Sequence, residues 1–203
     1  EFLAAVSHDL RTPLTNLRSA VEALQDGVAE DPGRYLEAMR REILLLSSLV
    51  DDLFLLARIE SGALDLVVHR VDLAELADEA IEAAAPEAAR RDVTLRYDAT
   101  DHPVPVEASP RELGRVLRNL LDNATRHTPK GGVVRVIVDS RPEPTLTVCD
   151  DGPGFPLEFV GRAFESFTRA DESRLRGGAG AGLGLAIARG VVAAHGGPIA
   201  ARP

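Results

Sequence analysis

The chain has 203 residues, 45% apolar and 4% aromatic, with no Trp and a formal charge of -9. That length suits one large domain or two small ones, and the abundance of Ala, Leu, Arg, Glu and Asp favours helices. The acidic balance argues against binding to nucleic acid or to an anionic membrane surface, since both need clustered Lys and Arg. Cys149 is the only cysteine, so no internal disulfide forms. Within its apolar run it reads as a buried thiol, which fits a reducing, cytoplasmic setting. No apolar run reaches the roughly 20 residues that span a bilayer. Phe2 to Val6 is too short for a signal peptide and lacks its basic flank. The chain opens in mid-helix and reads as a fragment, so any membrane anchor of the parent protein belongs to regions outside it.

Apolar residues first recur at alternating spacings of three and four: Leu3, Val6, Leu10, Pro13, Leu17, Ala20 and Leu24. A second series runs Leu36, Met39, Ile43, Leu46, Val50, Leu53 and Ala57, with Asp26-Gly27 and Asp31-Pro32-Gly33 as turn and cap signals between the two. Residues 1–61 therefore read as an antiparallel helical hairpin. Its two seams exceed what one hairpin can bury, which predicts a homodimer closing into a four-helix bundle. The pattern breaks at Ser61-Gly62; residues 62–71 read as a linker and 72–203 as an α/β sandwich, so the fold class is α+β. Residues 72–90 predict a helix, and Val93 to Tyr97 alternate like a strand. Ser109-Pro110 caps a helix reaching about His127. Gly131-Gly132 leads into the β-branched run Val133–Val138, and Thr145–Cys149 is a second such run. A Gly-rich stretch from Gly177 to Gly184 precedes a last helix ending near His195-Gly196-Gly197.

His8 is the first candidate for chemistry. With Leu3 and Leu10 at heptad a and Val6 at d, His8 falls at f, turned away from the seam where a core histidine would sit. An ordinary surface histidine is the plain alternative. Asp9 can orient the imidazole and leave its other nitrogen nucleophilic. Thr12, one turn on, can position a water. Pro13 interrupts the helix at a typical cost of about 3 kcal/mol, weakening it beside His8. The run Ser7-His8-Asp9-Leu10-Arg11-Thr12-Pro13-Leu14 closely resembles the H-box of histidine kinases. The resemblance implies that His8 accepts a phosphoryl group, that Asp9 assists the transfer, and that Thr12 supports phosphatase activity toward the partner.

Asn119, Asn123, Arg126 and His127 share a face of the predicted helix 109–127. Amide oxygens suit Mg²⁺, which takes few protein ligands beside phosphate oxygens and water. An adjacent Arg can hold a phosphate. Asn119 to Pro129 resembles the family's N-box, which implies Asn123 as the Mg²⁺ ligand with Asn119 close by, Arg126 on phosphate and His127 near the nucleotide. Asp150-Asp151-Gly152-Pro153-Gly154 follows a strand, where a carboxylate can read the adenine amino group and glycines let the base approach the backbone. An acidic turn is the alternative there, but the run resembles the G1 box, with Asp150, Gly152 and Gly154 at the base. Gly180-Ala181-Gly182-Leu183-Gly184 opens the last helix, where backbone N–H groups favour phosphate. It reads equally as a flexible linker on its own, and resembles the G2 box in this position. Between the two, Phe164 to Arg169 resembles the F-box, which implies that Phe164 and Phe167 anchor a lid over the nucleotide.

The five motifs keep the family order over residues 7–185. Two departures stand out. Relatives continue past the last helix into a closing β-hairpin where this sequence stops at Arg202-Pro203, which leaves that strand trimmed, disordered or absent, and Ala108-Ser109 replace a frequent Gly-Asp. The resemblance implies an ATP-dependent, Mg²⁺-requiring kinase. It phosphorylates His8, then an aspartate of a response-regulator receiver domain docked on the bundle. A GHKL-type ATPase is the first rival, although its catalytic glutamate is replaced by Asn119. A catalytically silent dimeric scaffold and a protein working chiefly as a phosphatase are the others.

Overall fold

The computed structural model describes residues 2–98, 102–168 and 182–202, with the backbone alone for residues 2–5, 8 and 9. Two long helices come first, α1 (Phe2–Gln25) and α2 (Pro32–Glu60). Asp31 caps α2 by accepting the Arg34 N–H at 3.2 Å, and Pro32 opens its first turn, where a missing N–H costs nothing. Asn16 of α1 donates to Glu42 of α2 at 3.0 Å across the hairpin.

The remaining elements are β1 (His69–Asp72), α3 (Leu73–Arg90), β2 (Thr94–Asp98), β3 (Pro105–Ala108), α4 (Pro110–His127), β4 (Val133–Asp139), β5 (Thr145–Asp150), α5 (Leu157–Val160) and α6 (Gly184–Ala194). β2 pairs in parallel with β4, and β4 is antiparallel to β5; β1 and β3 form a separate antiparallel pair. Among the described residues no strand follows α6 and the outer edge of β5 is unpaired. Asp72 ties the two halves of this region together: one carboxylate oxygen accepts from Ala74 N at 3.0 Å, capping α3, and from Val104 N at 2.9 Å ahead of β3.

Two cores result. In the first, Val134, Val136 and Val138 of β4 pack against Leu73 and Ala77 of α3 and Leu121 and Ala124 of α4. The second joins Val116 of α4 and Ile187, Ala188 and Val191 of α6 to Leu49, Leu55 and Leu56 of α2. The hairpin thus carries a third apolar face, beyond the two seams its heptads display, and that face is covered by α4 and α6. Arg115 of α4 bonds Asp52 of α2 at 2.6 Å beside it. Gly190 has no room for a side chain, since a Cβ there would lie 2.5 Å from Ile59.

Cys149 is exposed, not buried as its apolar run suggests. Strand alternation explains this: Leu146 and Val148 turn toward the helices, while Thr147 and Cys149 turn to the uncovered face of the sheet.

Asp72→Ala removes a helix cap and leaves the Val104 N–H unpaired. We expect about 1–3 kcal/mol of stability to be lost in urea titrations. A midpoint equal to that of the unchanged chain would show that the cap contributes nothing.

Candidate active site

The expected nucleophile lies on α1. The helix runs through a buried Pro13, and Thr12 is exposed. The side chains of His8 and Asp9 lie outside the described residues. Leu10, next on the helix, packs against the core shared by α2, α4 and α6.

The nucleotide-site candidates gather along α4. Nδ2 of Asn119 donates to the Gly184 carbonyl at 3.1 Å. A carbonyl only accepts, so nitrogen faces Gly184 and the amide oxygen is left as an acceptor. A Cβ on Gly184 would stand 3.5 Å from Asn119 Cγ. Asn123, one turn on, is half-buried, and Arg126 and His127 are exposed in the last turn. Beside them, partial desolvation near α3 raises the carboxyl pKa of Asp122, opposed by Arg126 and Arg118.

At the C-terminal end of α4 the loop after β5 closes in. Oδ1 of Asp150 accepts the Gly152 N–H at 2.9 Å, and Asp151 accepts the Val133 N–H at 2.9 Å, pinning the loop to β4. Only glycine fits at 152: a Cβ would collide with the Asp150 carboxylate and lie 3.0 Å from the His127 carbonyl. Gly154 takes a left-handed φ of 69°. Both positions thus need glycine, one for close packing and one for its backbone conformation.

Phe164 is half-buried, and Phe167 holds a left-handed φ of 61°, unusual for a bulky residue. Contacts with the described residues hold it there. Its N–H donates to Gly182 O at 3.1 Å, and its ring packs on the second core. Gly182 is also left-handed at φ 65°, and a Cβ there would lie 3.0 Å from Thr168 O. The chain on either side of residues 169–181 is thereby clasped together. Gly180 lies outside the described residues. Leu183 is buried in the second core, anchoring the start of α6.

The two ends of one stretch of α4, Asn119 and His127, thus meet the glycines of 182–184 and of 152–154. Sequence reading places Asn119, Asn123 and the glycines in a site. It does not find the Asn119–Gly184 bond, whose partners are 65 positions apart, nor the left-handed Phe167.

Residues 1–62 match the His Kinase A (phospho-acceptor) domain, and residues 108–203 match the histidine kinase-, DNA gyrase B- and HSP90-like ATPases. The signal transduction histidine-protein kinase BaeS of Escherichia coli (strain K12) is 37% identical over 202 residues, which are 99% of this chain and 43% of BaeS. The structure of the mycobacterial sensor histidine kinase MprB is 33% identical, with a TM-score of 0.56 over 64% of this chain and 81% of that one. Full-length ShkA in complex with AMPPNP is 28% identical, with a TM-score of 0.70 over 100% of this chain and 43% of that one. The chain spans less than half the length of BaeS.

Gly182→Ala sets a methyl against Thr168 O in a backbone conformation that costs an L-residue about 1–2 kcal/mol. Binding of a fluorescent ATP analogue should weaken by roughly tenfold, equivalent to about 1.4 kcal/mol. Unchanged affinity would detach the Phe167–Gly182 clasp from the nucleotide.

Proposed function

This chain belongs to the sensor histidine kinase family, and on that footing we propose that it is the kinase core of a two-component system. It phosphorylates itself on His8 and hands the phosphoryl group to an aspartate of a response-regulator receiver domain. The observation that carries this reading is the convergence along α4, where Asn119 bonds the Gly184 carbonyl and the His127 carbonyl abuts Gly152. Motifs far apart in sequence meet there on one helix face, with phosphate-type glycines at one end and an adenine-type carboxylate, Asp150, at the other.

In this reading ATP lies along α4 with its base at Asp150, Gly152 and Gly154. Its phosphates reach Gly180, Gly182, Gly184 and Arg126, with His127 at its flank. The donor set fits Mg²⁺: the Asn123 amide and the unengaged oxygen of Asn119 are neutral oxygen ligands of the kind it accepts beside phosphate oxygens. When bound, the ion neutralises phosphate charge. An imidazole nitrogen of His8 attacks the γ-phosphorus in line. A P–N bond forms, the bond to the bridging oxygen of ADP breaks, and Asp9 holds the proton on the other ring nitrogen. The chain's task is positioning and charge neutralisation. The phosphoryl group then passes to the receiver aspartate, and Thr12 positions water for the reverse, phosphatase reaction. ShkA, whose structure holds AMPPNP, supports the nucleotide part. An amide rather than a carboxylate at 119 disfavours simple ATP hydrolysis.

The active form is a homodimer. Leu36, Ile43, Val50 and Phe54 make a stripe along α2, exposed by 58, 52, 41 and 69%, on the side away from the covered Leu49 and Leu56. A second hairpin laid on that stripe completes a four-helix bundle. We place the chain in the cytoplasm, within a parent anchored in the membrane. Among the described residues no helix is long and apolar enough to cross a membrane.

With Mg²⁺ and γ-labelled ATP, the chain should acquire label that survives alkali and is lost in acid. His8→Ala and Asn123→Ala should both abolish it, and label persisting in His8→Ala would remove His8 as the acceptor. Ile43→Asp combined with Phe54→Asp should halve the mass seen by sedimentation equilibrium, because each charge is costly to bury unpaired. A double variant that stays dimeric would move the interface elsewhere.

A further inference from the structure

Ser109 and Glu112 open α4 with the S-x-x-E pattern of a capping box, in which the glutamate reaches back to the N–H of the serine. The structure does not form it. The Ser109 side chain makes no cap bond, Glu112 Oε2 is buried without a partner, and the Ser109 N–H donates instead to Nε2 of His195 at 2.9 Å. The other ring nitrogen of His195, Nδ1, lies 2.9 Å from the carbonyl of Val191. Both partners are backbone groups with fixed roles. An amide N–H only donates, so Nε2 carries no proton; a carbonyl only accepts, so Nδ1 does. The site selects neutral imidazole in the Nδ1–H form.

His195 stands at the C-terminal end of α6 and Ser109 at the N-terminal end of α4. The Asn119–Gly184 bond joins the same antiparallel pair at its opposite end. The run from Ser109 to Asn119 separates the two bonds by about 15 Å. Between them Val116 and Leu120 meet Ile187 and Val191. Such apolar contact is non-directional, whereas two separated hydrogen bonds pin the slide of α6 along α4.

We propose that His195 is a positioning residue for the nucleotide site. Held as the Nδ1–H tautomer, it fixes the register of α6 on α4 and so places Gly182 to Gly184 against Asn119. The inference rests on the nucleotide-binding reading above. It explains why the capping box written in the sequence is not formed and Glu112 Oε2 stays buried without a hydrogen bond: the Ser109 N–H serves the contact between helices instead of the local cap.

Two measurements test it. Long-range ¹H–¹⁵N NMR of the unmodified chain at neutral pH should show His195 neutral and protonated on Nδ1; an Nε2–H or charged ring overturns the proposal. Affinity for a fluorescent ATP analogue should fall roughly three- to tenfold in His195→Leu, the range of one lost hydrogen bond. His195→Gln, which keeps an acceptor and a donor, should recover most of it. A folded His195→Leu that binds as tightly as the unmodified chain, even with a lower melting temperature, reduces His195 to a structural cap and overturns the proposal. Should His195→Leu fail to fold, the tautomer and the His195→Gln affinity decide. If the unmodified chain does not bind the analogue, the nucleotide reading falls and takes this inference with it, whatever the tautomer.

Discussion

Helix α4 is the constraint on which the molecule depends, because it is buried along two flanks at once. Leu121 and Ala124 pack on β4, while Val116 and Leu120 pack on α6 and α2. Interiors are close-packed, so a helix held in this way cannot roll without opening a gap on one side and overpacking the other. The stripe left over carries Asn119, Asn123 and Arg126. Their placement is therefore inherited from packing that involves none of them.

The second core has a further consequence. It takes Leu49, Leu55 and Leu56 from the helical hairpin and Ile187 and Val191 from the last helix, so the part bearing His8 and the part bearing the glycines share one apolar interior. Arg115 and Asp52 add a largely sheltered ion pair to that contact, whose charges would be costly to leave unpaired. α2 thus serves α1, α6 and, in the dimer we propose, a second copy. Leu36, Ile43, Val50 and Phe54 remain on the outside, on a side of α2 away from Leu49 and Leu56, which the second core covers.

Much of this was legible before any coordinates. The heptads gave the hairpin, Ser109-Pro110 and Asp31-Pro32 marked helix starts, and the β-branched runs at 133 and 145 marked strands. The short pair β1 and β3 and the turn of helix α5 escaped notice, since four residues carry too little periodicity to register. Cys149 was misread for a related reason. An apolar run announces a strand, but which of its faces meets a helix depends on the layer laid against it.

What the sequence by itself determined is local: where helices and strands begin and end, and which motifs follow one another. Those properties depend on residues a turn or two apart, through period, caps and turn chemistry. The tertiary structure decided the choice of partners. Asn119 bonds a carbonyl 65 positions away, and the Ser109 N–H passes over the glutamate of its own first turn for a histidine 86 positions away. A backbone N–H makes the bond that packing brings within reach, and packing is settled by which apolar faces meet across the whole chain.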